Sequence, residues 1–460
     1  MDYITVINDI YDKTEPCKIR EVLASHFIPS KTEQKLNMEI HTPCVLVDDM
    51  LGSIPLVFWT KPHKVLEPCC GKGNFIIAIF DLFYKGLEFC IPNIELRCDK
   101  IVNECIFYTD ISPDNIFITT ELLKRHVISK NANITGYNNS HIGDTLACKI
   151  NDIFGVDKFD AIVCNPPYQK GNGNNATLWD KFVIYALDIL KKSGYMLFIH
   201  PAGWRNMTGK FKKLQQLLLS KNMLYLEIHG EKDGNRMFRC ATTYDWYLLH
   251  NVVVDKMNTK VRFSDGETLF LDLKKEQFIP NSRYTFIKSL LSTQADDTIN
   301  TLYSASLYHH HKSHMSRTKT DVIHSRSLYG IDKKNMSRTE DEIYKYPAVY
   351  LISSKNKFTF FYSSIHHDEK GHFGIPKLIW TNGSIKSAQS YLDATGEYAL
   401  TEFAYGIVDT VDNLKLIKEV FDSKKFRDLM ACCAMGQAHI NYRVISEFRK
   451  NFWVGFLDEP

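Results

Sequence analysis

The sequence has no CxxC pair and no close-set cysteine framework. Its 12 cysteines are scattered singly, apart from Cys69-Cys70 and Cys432-Cys433. That pattern argues against a disulfide-stapled secreted domain and for reduced thiols inside a cell. Long apolar runs are also missing. The strongest near the N-terminus, "CVLVDDMLGSIPLVFW", is interrupted by Asp48, Asp49 and Pro55 and cannot span a bilayer. The N-terminus itself, "MDYITVINDIYDKTEPCK", shows no basic segment followed by an apolar run, so a secretory leader is not expected and an intracellular protein is. Nor is there an excess of one charge: the formal net charge is +3, which neither demands nor excludes a polyanionic partner. No internal repeat or long low-complexity tract is present.

What is present is a chain of 460 residues with ordinary globular composition, long enough for two or three domains. "EPCKIREVLASH" has helical spacing, and "TPCVLVDDML" suggests a helix with Thr42 as N-cap and Pro43 in its first turn. "HKVLEPCCGKGNFIIAIFDLFY" then gives strand, glycine turn and amphipathic helix, the first half of a βαβ unit. Further strands are expected in "NECIFYTDIS", "FDAIVCNPPY", "GYMLFIHP", "MLYLEIHG" and "TTYDWYLLHN", with helices in "SPDNIFITTELLKRH" and "ATLWDKFVIYALDILKK". This alternation predicts an α/β, Rossmann-like fold with a mostly parallel, doubly wound sheet. After about residue 255 the βα alternation stops and shorter strands follow, which predicts an additional C-terminal α+β domain.

In an open α/β sheet, ligands bind beyond the carboxyl ends of the strands. Glu67 closes the first strand, and Gly71 and Gly73 let backbone approach a ligand. Asp110 ends the next strand, where a carboxylate suits ribose hydroxyls, and Asp144 follows a short apolar step in "HIGDTL". A nicotinamide-binding fold uses the same crevice but fits worse. The third glycine of GxGxxG is absent, and Asp110 lies nearly twice as far on as the usual spacing of about 20 residues. "VCNPPY" ends a later strand: two prolines donate no backbone hydrogen bonds and fix their φ angles, so the turn holding Asn165, Pro166, Pro167 and Tyr168 is rigid.

The set Glu67-Pro68-x-x-Gly71-x-Gly73-x-Phe75, then Asp110, Asp144 and Asn165-Pro166-Pro167-Tyr168, resembles the S-adenosylmethionine-dependent adenine-N6 DNA methyltransferases. The family's catalytic motif is (D/N/S)PP(Y/F). "HTPCVLVDDML" resembles its cofactor motif X and precedes the glycine loop, the gamma arrangement of many type II restriction-modification methyltransferases. His41 departs from the aromatic that often precedes Thr-Pro.

The resemblance implies a class I methyltransferase fold with S-adenosylmethionine as cofactor. Its binding residues would be Thr42, Pro43, Glu67, Pro68, Gly71, Gly73, Phe75, Asp110, Asp144 and Asn165. Asn165, Pro166, Pro167 and Tyr168 would be catalytic. Tyr168 and Phe238, in "NRMFRCATTYDWYLL", would stack on a flipped adenine. Residues 1–40 would be an N-terminal helical extension, 41–258 the catalytic domain and 259–460 a target-recognition domain with C-terminal helices. Double-stranded DNA would be the substrate and a cognate restriction endonuclease a further partner, with no membrane and no metal. Methylation of RNA adenine and a non-catalytic DNA-binding or assembly subunit are the alternatives. A fused nuclease is not expected, because the short N-terminal extension shows no PD…(D/E)xK pattern.

The most basic stretch, "YHHHKSHMSRTKTDVIHSRSLYG", carries Lys312, Arg317, Lys319 and Arg326 against the single acid Asp321 and suits contact with DNA phosphates. Its adjacent histidines cannot easily converge on one ion. Trp204 and Arg205 follow the "GYMLFIHP" strand and are candidates for shaping the substrate pocket, with core packing an equal account of Trp204.

Overall fold

The computed structural model describes the chain apart from residues 1–2, 31, 34–39, 171–175, 207–209, 239, 241, 277, 293–321, 325–328, 330, 332–335, 354–356, 367–371, 382, 386–388, 436–439 and 458–460. It divides into two units, Met1–Gln277 and Phe278–Pro460.

The first unit is built on a nine-stranded sheet in the order β3-β2-β1-β4-β5-β7-β6-β8-β9. The strands are β1 (Val65–Glu67), β2 (Ile106–Asp110), β3 (Ser140–Ile142), β4 (Phe159–Cys164), β5 (Leu190–Pro201), β6 (Asn222–His229), β7 (Tyr244–His250), β8 (Thr259–Arg262) and β9 (Thr268–Leu271). β3, β2, β1, β4 and β5 run parallel. β7 is antiparallel to both of its neighbours, β5 and β6. Every residue of β2 is buried, as expected of a strand covered on both faces, which is why "IFYTD" shows no polar alternation. The chain proceeds from β1 outward to β2 and β3, then returns to the other side of β1 with β4. That reversal opens a crevice at the β1–β4 carboxyl edge.

Helix Asn74–Gly86 follows the glycine turn, with Gly73 in the left-handed region (φ +82°) at its N-cap. Helix Pro113–Ser129 is capped by Ser112, whose side chain accepts from Asn115 N, and starts with a proline. The helix after Thr42 spans Cys44–Gly52, and its N-cap is the extended Pro43 rather than Thr42. The Thr42 hydroxyl is engaged elsewhere. Helices Tyr3–Lys13 and Ile19–His26 pack their apolar faces, including Ile7, Ile10 and Leu23, on the same core. The sheet does not stop near residue 258: β8 pairs in parallel with β6, and β9 pairs with β8.

The described part of the second unit contains two four-stranded sheets. One joins β10 (Val322–His324), β17 (Ala404–Val408), β14 (Lys377–Thr381) and β15 (Tyr391–Asp393). The other joins β11 (Met336–Ser337), β13 (Phe358–Ser363), β12 (Tyr346–Ile352) and β16 (Ala399–Leu400). Val349, Ile352, Ile379 and Leu400 form part of the core they share. Helices Val411–Asp422 and Lys424–Cys432 follow. A buried ion pair, Lys377 Nζ to Asp393 Oδ2 at 2.7 Å, braces β14 against the turn after β15, whose amides at Gly396, Glu397 and Tyr398 also donate to Asp393.

Candidate active site

A cavity of about 400 Å³ lies beyond the carboxyl ends of β1, β2, β3 and β4. The strand ends and the turns after them contribute Glu67 to Lys72 and Asn74, Asp110 and Ile111, Gly143 to Thr145, and Asn165 to Pro167. The N-terminal segment adds Phe27, Pro29, Ile40, His41 and Thr42, and Leu178 and Phe182 complete the far wall.

The glycine turn is fixed by hydrogen bonds to its neighbours. Cys70 N donates to the Thr109 carbonyl at 2.9 Å, and Gly73 N donates to the Cys70 carbonyl at 2.9 Å. The hydroxyls of Thr109 and Thr145 both reach the Pro68 carbonyl, at 2.9 and 2.8 Å. Asp110 Oδ2 accepts from Gly71 N at 2.9 Å, and its Oδ1 accepts from Ser112 N at 2.8 Å. Burial raises the Asp110 carboxyl above its ordinary range despite these hydrogen bonds. Glu67 is 2% exposed, and its Oε2 has no hydrogen-bond partner. Burial, with Cys164 and Asp110 adding to it, pushes its carboxyl well above the usual range.

The Pro-Pro turn is held by the chain that returns to it: Leu178 N donates to the Tyr168 carbonyl at 3.1 Å, and Lys170 N to the Ala176 carbonyl at 3.0 Å. The Asn165 amide nitrogen donates to Thr42 Oγ1 at 2.9 Å and to the Ile40 carbonyl at 3.4 Å. Its Oδ1 is buried without a partner. A buried acceptor left unmatched costs about 1–3 kcal/mol, so such an atom in a cavity wall marks where a donor is to be received.

Thr42, Glu67, Pro68, Gly71, Phe75, Asp110, Asp144, Asn165, Pro166 and Pro167 therefore line one cavity. Pro43 and Gly73 stand just behind its wall, as the N-caps of Cys44–Gly52 and Asn74–Gly86. Tyr168 is 7% exposed and is not among the lining residues. Phe238 ends helix Glu231–Phe238 and meets Tyr244 edge-on at 4.9 Å, also outside the lining. Trp204 and Arg205 do not line the cavity either: both donate to the buried Asp245 carboxylate, at 2.8 and 2.7 Å to Oδ2. Lys312, Arg317, Lys319 and Arg326 lie outside the described residues.

Several lining residues carried no sequence signal. Lys72 reaches Glu33 in the N-terminal segment at 2.6 Å. Asn74 Nδ2 donates to the Thr42 carbonyl at 2.9 Å and meets His41 Nδ1 at 3.2 Å. These are long-range pairings between ordinary surface-type residues. Only the turn's position next to "LEPCCGKGNF" hinted at them. Among the described residues no group of three or more His, Cys, Asp or Glu gathers as a metal site would require, and no helix is long and apolar enough to cross a membrane.

Fold and site together define a class I methyltransferase architecture: a doubly wound sheet with a glycine turn after β1, acidic residues at successive strand ends and Asn-Pro-Pro-Tyr after β4. Residues 104–238 match the family model of the Eco57I restriction-modification methylase, a span that contains Asp110, Asp144, Asn165 to Tyr168 and Phe238. The resemblance to restriction-modification methyltransferases drawn from the motifs is borne out by that match over those residues. An uncharacterized adenine-specific methylase of Mycoplasma pneumoniae is 38% identical over 74 residues, covering 13% of this chain and 17% of the relative. Among solved structures, a nuclease-deletion mutant of the type ISP restriction-modification enzyme LlaGI, in complex with a DNA substrate mimic, is 12% identical, with a TM-score of 0.49 over 95% of this chain and 60% of that one. The type IIL restriction-modification enzyme MmeI, in complex with DNA, is likewise 12% identical, with a TM-score of 0.49 over 89% of this chain and 68% of that one.

Proposed function

We propose that the protein transfers a methyl group from S-adenosylmethionine to the N6 amine of adenine in double-stranded DNA, at a specific sequence, in restriction-modification or in the marking of DNA as self. The observation that carries this reading is the buried, partnerless Oδ1 of Asn165 in the wall of a cavity that Glu67, Asp110 and Asp144 also line.

The residues present suit the cofactor. Glu67 offers an unpaired buried carboxyl oxygen to a cationic amino group. In this reading Asp110 takes the ribose hydroxyls and Asp144 the adenine amine of the nucleoside, and both line the cavity together with Thr42, Pro68, Gly71 and Phe75. When bound, the cofactor supplies an activated sulfonium methyl.

The chain's own task is to present the acceptor nitrogen. An exocyclic adenine amine is a weak nucleophile because its lone pair is delocalised into the ring. Asn165 Oδ1 and the Pro166 carbonyl accept its two hydrogens, orient it and favour a pyramidal nitrogen as its bond to carbon forms. The prolines hold that carbonyl in a fixed direction. The proton displaced from the amine leaves to solvent.

A base in duplex DNA reaches such a cavity only when flipped out, at a cost of a few kcal/mol that aromatic stacking partly offsets. Tyr168 and Phe238 are the aromatics for this stacking in this reading. The first unit is the catalytic body in this reading. The second, with the basic segment around Lys312, Arg317, Lys319 and Arg326, reads the target, and a cognate endonuclease acts on the same sequence.

The reading is tested by supplying labelled S-adenosylmethionine with duplex DNA, structured RNA and protein extract, using wild type and Asn165→Ala. Label is expected in duplex DNA with wild type and not with the variant. Label confined to RNA or protein overturns the substrate, and equal label with both proteins overturns the site.

A further inference from the structure

The two ends of the Asn165 side-chain amide have different surroundings. Nδ2 meets two oxygens, the Thr42 hydroxyl at 2.9 Å and the Ile40 carbonyl at 3.4 Å, whereas Oδ1 is buried with no partner. Thr42 is itself fixed: it is 6% exposed, and its main-chain carbonyl accepts from Asn74 Nδ2 at 2.9 Å, at the first turn of helix Asn74–Gly86. Turning the amide over would set Oδ1 against the Ile40 carbonyl, which has no proton to give, and would leave Nδ2 without an acceptor.

We infer that Thr42, together with the Ile40 carbonyl, is a positioning residue that locks the Asn165 amide with its oxygen toward the acceptor amine, and that this contact is why position 165 carries asparagine instead of aspartate. The inference rests on the methyltransferase reading. An asparagine donates at one end and accepts at the other, which matches an acceptor-rich N-terminal segment on one side and a donor amine on the other. A carboxylate at 165 would meet the Ile40 carbonyl lone pair to lone pair, and only the Thr42 hydroxyl could turn to donate. The chain that supplies Ile40 and Thr42 precedes Asn165 by more than a hundred residues, so the contact also makes the N-terminal segment part of the catalytic geometry.

The test uses the full chain with Thr42→Ser, Thr42→Val and Asn165→Asp, each checked for an unchanged thermal midpoint. Methyl transfer gives kcat and KM for DNA, and calorimetry gives affinity for S-adenosylhomocysteine. Asparagine-selective ¹⁵N labelling follows exchange of the Asn165 amide protons, assigned by their loss in Asn165→Ala.

Thr42→Ser keeps the acceptor and is expected to retain more transfer than Thr42→Val. Thr42→Val is expected to lower kcat roughly 10- to 100-fold, the usual result of a misplaced reacting group. The loss in kcat should persist at saturating S-adenosylmethionine, while the Asn165 amide protons exchange faster. Asn165→Asp is expected to fall at least as far. A Thr42→Val enzyme with wild-type kcat overturns the inference. So does one whose loss is confined to cofactor affinity and disappears at saturating cofactor, because Thr42 would then be a cofactor ligand only. Failure of the underlying reading shows separately: transfer that survives Asn165→Ala overturns that reading and the inference with it.

Discussion

Lys72, inside the glycine turn, places its Nζ 2.6 Å from Glu33 Oε1 in the N-terminal segment. Burial pushes the Glu33 carboxyl up, but hydrogen bonds from Lys72 and Ser30 outweigh it and hold the group down at about 2. A lowered carboxyl gives a contact fully formed above the unfolded value of about 4.3 and lost as pH falls through about 2. The tether is therefore intact throughout the neutral range. A partly exposed pair of this kind is worth about 0.2–1 kcal/mol. Glu33→Gln is expected to speed proteolytic cleavage near residues 26–33 by up to roughly fivefold at pH 7, with high salt producing part of the same effect in wild type. Cleavage rates equal in both proteins at low salt would show that the pair does not hold the segment.

Glu67 ends β1 beside Asp110 at the end of β2, and burial raises both carboxyls. A raised carboxyl keeps its proton to higher pH, and an approaching cationic amino group favours the carboxylate. Binding of S-adenosylhomocysteine should therefore expel a proton, with affinity rising as pH climbs from the ordinary carboxylate value toward the raised one. Calorimetry in buffers of different ionisation heat measures this directly. Release is expected with wild type and reduced with Glu67→Gln; equal heats in all buffers for wild type contradict the assignment.

Arg205 and Asp245 are both fully buried, joined at 2.7 Å through Nε and at 3.0 Å through Nη2, with Trp204 Nε1 completing the carboxylate's partners. Removing one member strands the other charge in the interior. Asp245→Ala is expected to cost about 3–5 kcal/mol in urea unfolding, and replacing both members by apolar residues should restore most of it. A loss below about 1 kcal/mol in Asp245→Ala would show that water reaches the pair.

Gly73 has φ +82°, and a Cβ there would lie 3.1 Å from the Thr119 side chain, whereas Gly155 has φ +61° with nothing within 4 Å. Gly73→Ala and Gly155→Ala should each lose about 1–2 kcal/mol of stability from the left-handed backbone alone. Only Gly73→Ala should also weaken S-adenosylhomocysteine binding, because only there does the shift fall on the turn that frames the cavity. Unchanged binding in Gly73→Ala would separate the turn from the ligand.

Much of this site is legible in the sequence because its parts are local. An apolar run ending in Asn-Pro-Pro-Tyr announces a strand with a rigid turn, and Glu67 and Asp110 end buried runs of their own. Thr42 differs: a threonine before a proline predicts a cap, yet the structure gives the cap to Pro43 and the hydroxyl to Asn165. The end of helix–strand alternation predicts new architecture from the β8–β9 hairpin onward, but backbone pairing to β6 keeps that hairpin in the first sheet. Glu33 and Asn74 were silent for a different reason. Their partners lie more than thirty residues away, and nothing in a glutamate or an asparagine says which turn will fold against it.

The most direct measurement is nucleoside analysis of duplex DNA after incubation with S-adenosylmethionine and either wild type or Asn165→Ala, at matched S-adenosylhomocysteine affinity. N6-methyladenine formed by wild type and lost with the variant is the result this account requires. Methylation at another base, or N6-methyladenine formed equally by both proteins, would contradict it.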